Sequence, residues 1–135
     1  MKYLLDTNTC IAYLNGRAAG VLRRLRGIPR SEVALCSVVK AELLYGARKS
    51  MTSADALVKV RRFVAPFASL PFDDQAAEVY GVIRAKLTHA GTPIGPNDLM
   101  IAAIAKASEL TLVTHNTREF RRVQGLAVED WEASP

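Results

Sequence analysis

A chain of 135 residues with half its residues apolar and only 7% aromatic is long enough to bury a core and fits one domain spanning residues 1–135. No apolar run approaches the length of a membrane span, and Asp6 interrupts the apolar start too early for a signal peptide, so a cytoplasmic protein with no membrane contact is expected. The net charge of +5 is compatible with a polyanionic partner, while Cys10 and Cys36 lack metal-ligand spacing and read as buried thiols.

Residues 2–5 read as a buried parallel strand, cut off by an acid, a hydroxyl and an amide at Asp6-Thr7-Asn8. Open α/β sheets place ligand chemistry at this carboxyl edge. Thr7 or Asn8 can cap a short helix to Leu14, and Asn15-Gly16 ends it. A second helix is expected over 18–26, broken by Gly27-Ile28-Pro29, and a second strand over 33–36. Ser37 caps a strong helix over 38–49, with Val38, Ala41, Leu44 and Tyr45 marking its buried face and Glu42 on its second turn. A helix over 53–65 ends at Pro66, and a third strand follows over 69–72. Asp73 or Asp74 caps a long helix to Ala90, with Ala76, Tyr80, Ile83, Leu87 and Ala90 at helical spacing.

Pro96 suits the first position of a helix over 96–108, whose stretch 101–105 is apolar nearly all round and so central. A fourth strand is expected over 111–114, a short helix from Asn116, and a last strand over 126–128. This alternation predicts a three-layer α/β/α domain with a mainly parallel central sheet of four or five strands.

The chain is basic, yet its best-placed residues are acids. Asp6, Glu42 and Asp98 come from different elements that this topology brings to one edge, and Asn116 and Glu119 follow a further strand end. Each alone has a plain structural role: Asp6 as a helix cap, Glu42 as a solvated helix residue, Asp98 as an acid in a first helical turn, Asn116 and Glu119 as a capping box. Together they would repel one another unless a cation compensates. Magnesium needs few carboxylates and keeps several waters, and it can make a water nucleophilic beside a phosphoryl group. A basic surface around such an acidic pocket suits an enzyme that draws in a nucleic acid and processes it with a cation.

Taken in order, these motifs resemble the PIN-domain ribonucleases, and within them the VapC toxins of bacterial toxin–antitoxin pairs. The resemblance is carried by Tyr3-Leu4-Leu5-Asp6-Thr7-Asn8, by Ser37-Val38-Val39-Lys40-Ala41-Glu42-Leu43-Leu44-Tyr45-Gly46-Ala47, by Gly91-Thr92-Pro93-Ile94-Gly95-Pro96-Asn97-Asp98-Leu99-Met100-Ile101-Ala102-Ala103, and by the closing Leu112-Val113-Thr114-His115-Asn116-Thr117-Arg118-Glu119-Phe120 with Arg122-Val123, Gly125-Leu126 and Glu129-Asp130-Trp131. It implies an endoribonuclease dependent on Mg2+ or Mn2+, with Asp6, Glu42 and Asp98 carrying the metal. Relatives often have a fourth acid where this chain has Asn116, so Glu119 would supply that charge or Asn116 would bind through its carbonyl. Thr7, Asn8 and Thr114 would orient carboxylates and waters. Arg84, in an Ile-Arg-Ala segment, would position RNA phosphate; Arg61-Arg62 and Arg23-Arg24-Arg26 are further backbone candidates. The closing segment resembles the subgroup that cuts initiator tRNA in the anticodon loop. The resemblance further implies a homodimer and a VapB-type antitoxin that covers the cleft.

Other classes fit less well. A phosphatase with a nucleophilic first-strand aspartate would want an acid where Asn8 stands, and a phospho-receiver domain would want a late lysine. A domain of the same fold that only binds RNA or a partner remains the alternative.

Overall fold

The computed structural model describes residues 1–132. Five strands form an all-parallel sheet: β1 (Tyr3–Leu5), β2 (Val33–Cys36), β3 (Ala68–Leu70), β4 (Thr111–Val113) and β5 (Val128–Glu129), in the order β3-β2-β1-β4-β5. Parallel neighbours need crossovers, and helices supply them. These are α1 (Thr7–Leu14), α2 (Ala19–Gly27), α3 (Ser37–Arg48), α4 (Ser53–Val64), α5 (Asp74–Ala90), α6 (Pro96–Ala107) and α7 (Thr117–Phe120), with a 3-10 turn at Arg30–Glu32. The expected α/β architecture is present.

The inner strands read as continuous apolar runs because both faces of the sheet are covered. Every residue of β1 and β2 is buried, and so are Leu112 and Val113 of β4. Ile101 to Ala105 of α6 are all buried, which accounts for a helix with no polar face over that stretch. α6 packs along α5, and α3 along α4. Trp131 anchors the end of the described chain: it is buried edge-on against Tyr3 with ring centroids 5.1 Å apart, and its Nε1 donates to Glu129 Oε1 at 3.1 Å.

Sheet order decides where a site can form. From β1 the chain steps to β2 and β3 on one side, while β4 and β5 lie on the other. The gap between the carboxyl ends of β1 and β4 is therefore a topological switch point, where side chains can face a ligand without an overlying crossover. Leu5 pairs with Val113, and the Asp6 N–H donates to the Val113 carbonyl at 3.0 Å, so Asp6 and Thr114 emerge side by side.

Several boundaries differ from expectation. β1 begins at Tyr3, β3 one residue earlier than expected, and the last strand is Val128–Glu129 rather than 126–128. Ser37 is the first residue of α3 and Cys36 its N-cap. The fully buried residues of α3 are Val39, Leu43 and Ala47; of the expected face, Val38 and Leu44 are half-buried against the core, while Ala41 and Tyr45 are exposed, Tyr45 to 67%. That helix carries two apolar stripes; the core covers one fully and only the Val38 and Leu44 part of the other. Ala90 is exposed at the end of α5, where Gly91 takes the left-handed conformation that closes the helix.

Candidate active site

Asp6 is the N-cap of α1, the plain structural role weighed for it above, so neither Thr7 nor Asn8 caps that helix. Its Oδ1 accepts the Thr9 N–H at 2.9 Å, and its Oδ2 accepts the Thr114 hydroxyl at 2.5 Å. The cap role and the site role are thus the same geometry: fixing the carboxylate at the helix start also holds it at the sheet edge. Only 3% of Asp6 is exposed. Burial pushes its carboxyl above the usual range; the Thr114 and Thr9 bonds oppose this, and the nearby charge of Glu42 adds to it.

Glu42 comes in from the second turn of α3. The Thr7 hydroxyl donates to its Oε1 at 2.6 Å, and the Asn97 amide donates to its Oε2 at 3.4 Å. Glu42 is thereby spanned between the start of α1 and the start of α6. Asp98 sits in the first turn of α6, with Pro96 at the first helical position. Burial and then the charges of Glu119, Asp6 and Glu42 raise its carboxyl from 3.8 to about 6. Those charges show that the acids share one electrostatic environment.

The closing segment completes the edge. The Asn116 N–H donates to the Thr114 hydroxyl at 3.0 Å, and the Asn116 amide donates to Glu119 Oε2 at 2.7 Å. Asn116 makes no side-chain cap to α7, so the pair is not a reciprocal capping box; Glu119 instead reaches the Gly95 N–H at 3.4 Å and ties α7 to the loop before α6. With its nitrogen engaged, Asn116 has its carbonyl oxygen left to offer.

Thr7 and Thr114 do orient acids, each by one short bond. Asn8 is exposed on the wall of a cleft of about 790 Å³ that Thr7, Glu42 and Asn97 also line. Arg84 stands apart: its Nη1 donates to the Tyr80 hydroxyl at 3.1 Å, and it borders a smaller hollow with Pro93 and Ile94. Arg24, one of the expected backbone-binding cations, is held by Glu129 at 3.1 Å and lies over the Trp131 ring. Two site residues escaped the sequence reading, Thr9 and Asn97. Thr9 had a signal, its place three residues after a capping acid; Asn97 had only its adjacency to Asp98.

A cation at this edge would meet oxygen donors only, the carboxylates of Asp6, Glu42 and Asp98 and the amides of Asn97 and Asn116. Among the described residues no three acidic, histidine or cysteine side chains are drawn into a ready-made cage. Spaced carboxylates that repel one another fit a hard cation that keeps several of its waters. Neither cysteine competes as a nucleophile: both are buried, and burial pushes both thiols up.

Residues 3–126 match the family model of the PIN domain. The chain belongs to the PIN-domain family. This PIN domain is 40% identical over 131 residues to the tRNA(fMet)-specific endonuclease VapC of Salmonella typhimurium, covering 97% of this chain and 98% of that one. It is 42% identical to the protein of the same name from Shigella flexneri, with the same coverage, and 35% identical to ribonuclease VapC2 of Rickettsia felis, covering 98% of this chain and 99% of the relative. Its structure matches a chain in the DNA-bound VapBC crystal structure from Salmonella typhimurium with a TM-score of 0.92 at 40% identity, covering 97% of this chain and 98% of that one. A chain of VapBC2 from Rickettsia felis, bound to a promoter DNA fragment, matches with a TM-score of 0.91 at 34% identity, covering 97% and 99%.

Proposed function

We propose that this PIN domain, a single domain over the whole chain, is the toxin of a toxin–antitoxin pair and a divalent-metal-dependent endoribonuclease. Its substrate is tRNA, cut in the anticodon loop of the initiator species. The observation that carries the nuclease reading is the gathering of Asp6, Glu42 and Asp98 near the β1/β4 switch point, Asp6 held by Thr114 and Thr9, Glu42 by Thr7 and by Asn97, the residue before Asp98, with the Asp98 carboxyl raised to about 6 by burial first and then by the charges of Glu119, Asp6 and Glu42. The substrate reading is supported by the Salmonella and Shigella relatives, both named tRNA(fMet)-specific endonucleases. A loop suits an edge cleft because its phosphates and unstacked bases are open to side chains.

In this reading Asp6, Glu42 and Asp98 hold Mg2+ or Mn2+. Bound there, the ion supplies Lewis acidity toward a phosphoryl oxygen and lowers the pKa of a water. The chain does the positioning. Thr114 and Thr9 fix both oxygens of Asp6, while Thr7 and Asn97 hold Glu42. Glu119 places negative charge beside Asp98, and Asn116, whose amide donates to Glu119, keeps its carbonyl oxygen for the ion or its waters. Arg84 borders the loop leading into α6 and is assigned a flanking phosphate contact. The partner is a VapB-type antitoxin, supported by the VapBC complexes among the structural relatives. The chain works as a homodimer in the cytoplasm; among the described residues no helix is long and apolar enough to cross a membrane.

The test is cleavage of a purified tRNA pool by antitoxin-free protein, in magnesium and in EDTA, beside Asp6→Asn, with the new ends mapped. A single cut in the initiator anticodon loop, lost with EDTA and with the variant, supports the reading. Metal-dependent cuts elsewhere discard the substrate and keep the nuclease. Folded protein that binds RNA and never cuts it points to the binding-only alternative.

A further inference from the structure

The cleft beside the acids has an aromatic wall that the core does not use. α3 buries Val39, Leu43 and Ala47, which leaves Tyr45 67% exposed on the face that carries Glu42. Tyr45 lies three positions after Glu42, so its backbone stands just under one helical turn, roughly 4.5 Å along the axis, beyond that of Glu42. Both line the cleft of about 790 Å³, together with Asn8 and Asn97. Lys49 follows one turn later, its Nζ 5.2 Å from the Tyr45 ring centroid, and it lines the same cleft.

These positions form a sequence of chemistries along one helix: carboxylate, ring, ammonium. The carboxylate end repels a phosphodiester unless a cation intervenes. The ring offers a flat face to any base, since every base has a π-face. The ammonium offers charge to the next phosphate. A base in a duplex could not reach that ring, whereas a base splayed from a loop could.

We propose that Tyr45 is the platform on which the RNA base next to the scissile phosphate stacks, with Lys49 neutralising the adjoining phosphate. The proposal rests on the ribonuclease reading above and adds to it a substrate-positioning residue that places single-stranded RNA against the acids. Tyr45 holds the substrate and takes no part in bond making.

The test separates the two readings. Cleavage of a short single-stranded RNA by the parent protein in magnesium establishes the nuclease. Binding of the same RNA, fluorescein-labelled, is then measured by anisotropy with Asp98→Asn protein, which keeps the RNA whole. Adding Tyr45→Ala weakens binding about 5-fold to 100-fold, and Tyr45→Phe or Tyr45→Trp restores it. An abasic nucleotide is walked along the RNA. One position next to the cut costs the Tyr45 protein the same factor and costs the Tyr45→Ala protein nothing. Lys49→Gln lowers the slope of log affinity against log salt by about 0.7, the single-strand value for one phosphate contact. If the parent cuts the RNA but Tyr45→Ala binds it equally well, or every abasic penalty survives in Tyr45→Ala, the platform is wrong and the nuclease stands. If the parent neither cuts nor binds RNA, both fall.

Discussion

Replacing Asp98 by asparagine removes a charge that the metal-free fold holds at a cost. In the metal-free protein the Asp98 carboxyl is raised from 3.8 to about 6 by burial and by Glu119, Asp6 and Glu42. A carboxyl raised on folding binds its proton more tightly in the folded state, so its stabilising contribution is complete below about pH 4. It is lost as pH climbs from about 4 through about 6. A difference of that size is worth about 3 kcal/mol for a fully buried group. Asp98 is half-buried, and solvent screening reduces the figure to about 1 kcal/mol. Asp98→Asn should therefore stabilise EDTA-treated protein by about 1 kcal/mol at pH 7.5, a rise in Tm of about 3 °C for a chain of this length. At pH 4 the variant and the parent should melt together. Magnesium should raise the melting point of the parent and leave the variant nearly unmoved, since the ion offsets a repulsion that the variant no longer has. Thermal melts at both pH values, with EDTA and with magnesium, read all of this. A variant less stable than the parent at pH 7.5 without metal, or a difference independent of pH, would refute the claim that burial and the neighbouring acids together raise the Asp98 carboxyl.

Thr114→Val removes the hydroxyl that donates to the buried Asp6 and accepts from Asn116, so urea unfolding should show a loss of about 1–3 kcal/mol, with Thr114→Ser close to the parent. Thr7→Val frees Glu42 from its 2.6 Å bond at a part-buried position; single-turnover cleavage should fall about 10-fold or more while stability changes by less than about 1 kcal/mol. Trp131→Ala empties a buried site against Tyr3 and beneath Arg24, and denaturant melts should show a loss of about 3–5 kcal/mol.

What could be read before the fold was known follows from how local each signal is. The first strand and its acid were legible because an apolar run stops abruptly at Asp6, and the start of α6 because Pro96 tolerates only a few backbone positions. The face of α3 was not. Val38-Ala41-Tyr45 and Val39-Leu43-Ala47 are both apolar stripes at helical spacing, and only the sheet decides which is covered. The misreading hid the most exposed ring beside the acids. Asn116 and Glu119 have the spacing of a capping box, but Glu119 finds the Gly95 N–H, 24 residues earlier in the chain, which no local pattern encodes. Arg24 reads as a free cation until the fold brings Glu129 and Trp131 to it. Thr114 was legible as a strand-end hydroxyl, whereas its bond to Asp6 depends on β1 and β4 being neighbours.

The central claim is that the acids at the β1/β4 edge hold the cation on which RNA cleavage depends. It is tested most directly by titrating Mn2+ into antitoxin-free protein and following free Mn2+ by electron paramagnetic resonance, with RNA cleavage measured on the same samples. The account predicts that bound Mn2+ and cleavage rise together in the parent, and that both are lost in Asp6→Asn and Asp98→Asn while the fold persists. Cleavage that continues in EDTA, or Mn2+ binding that is unchanged in both variants, would contradict it.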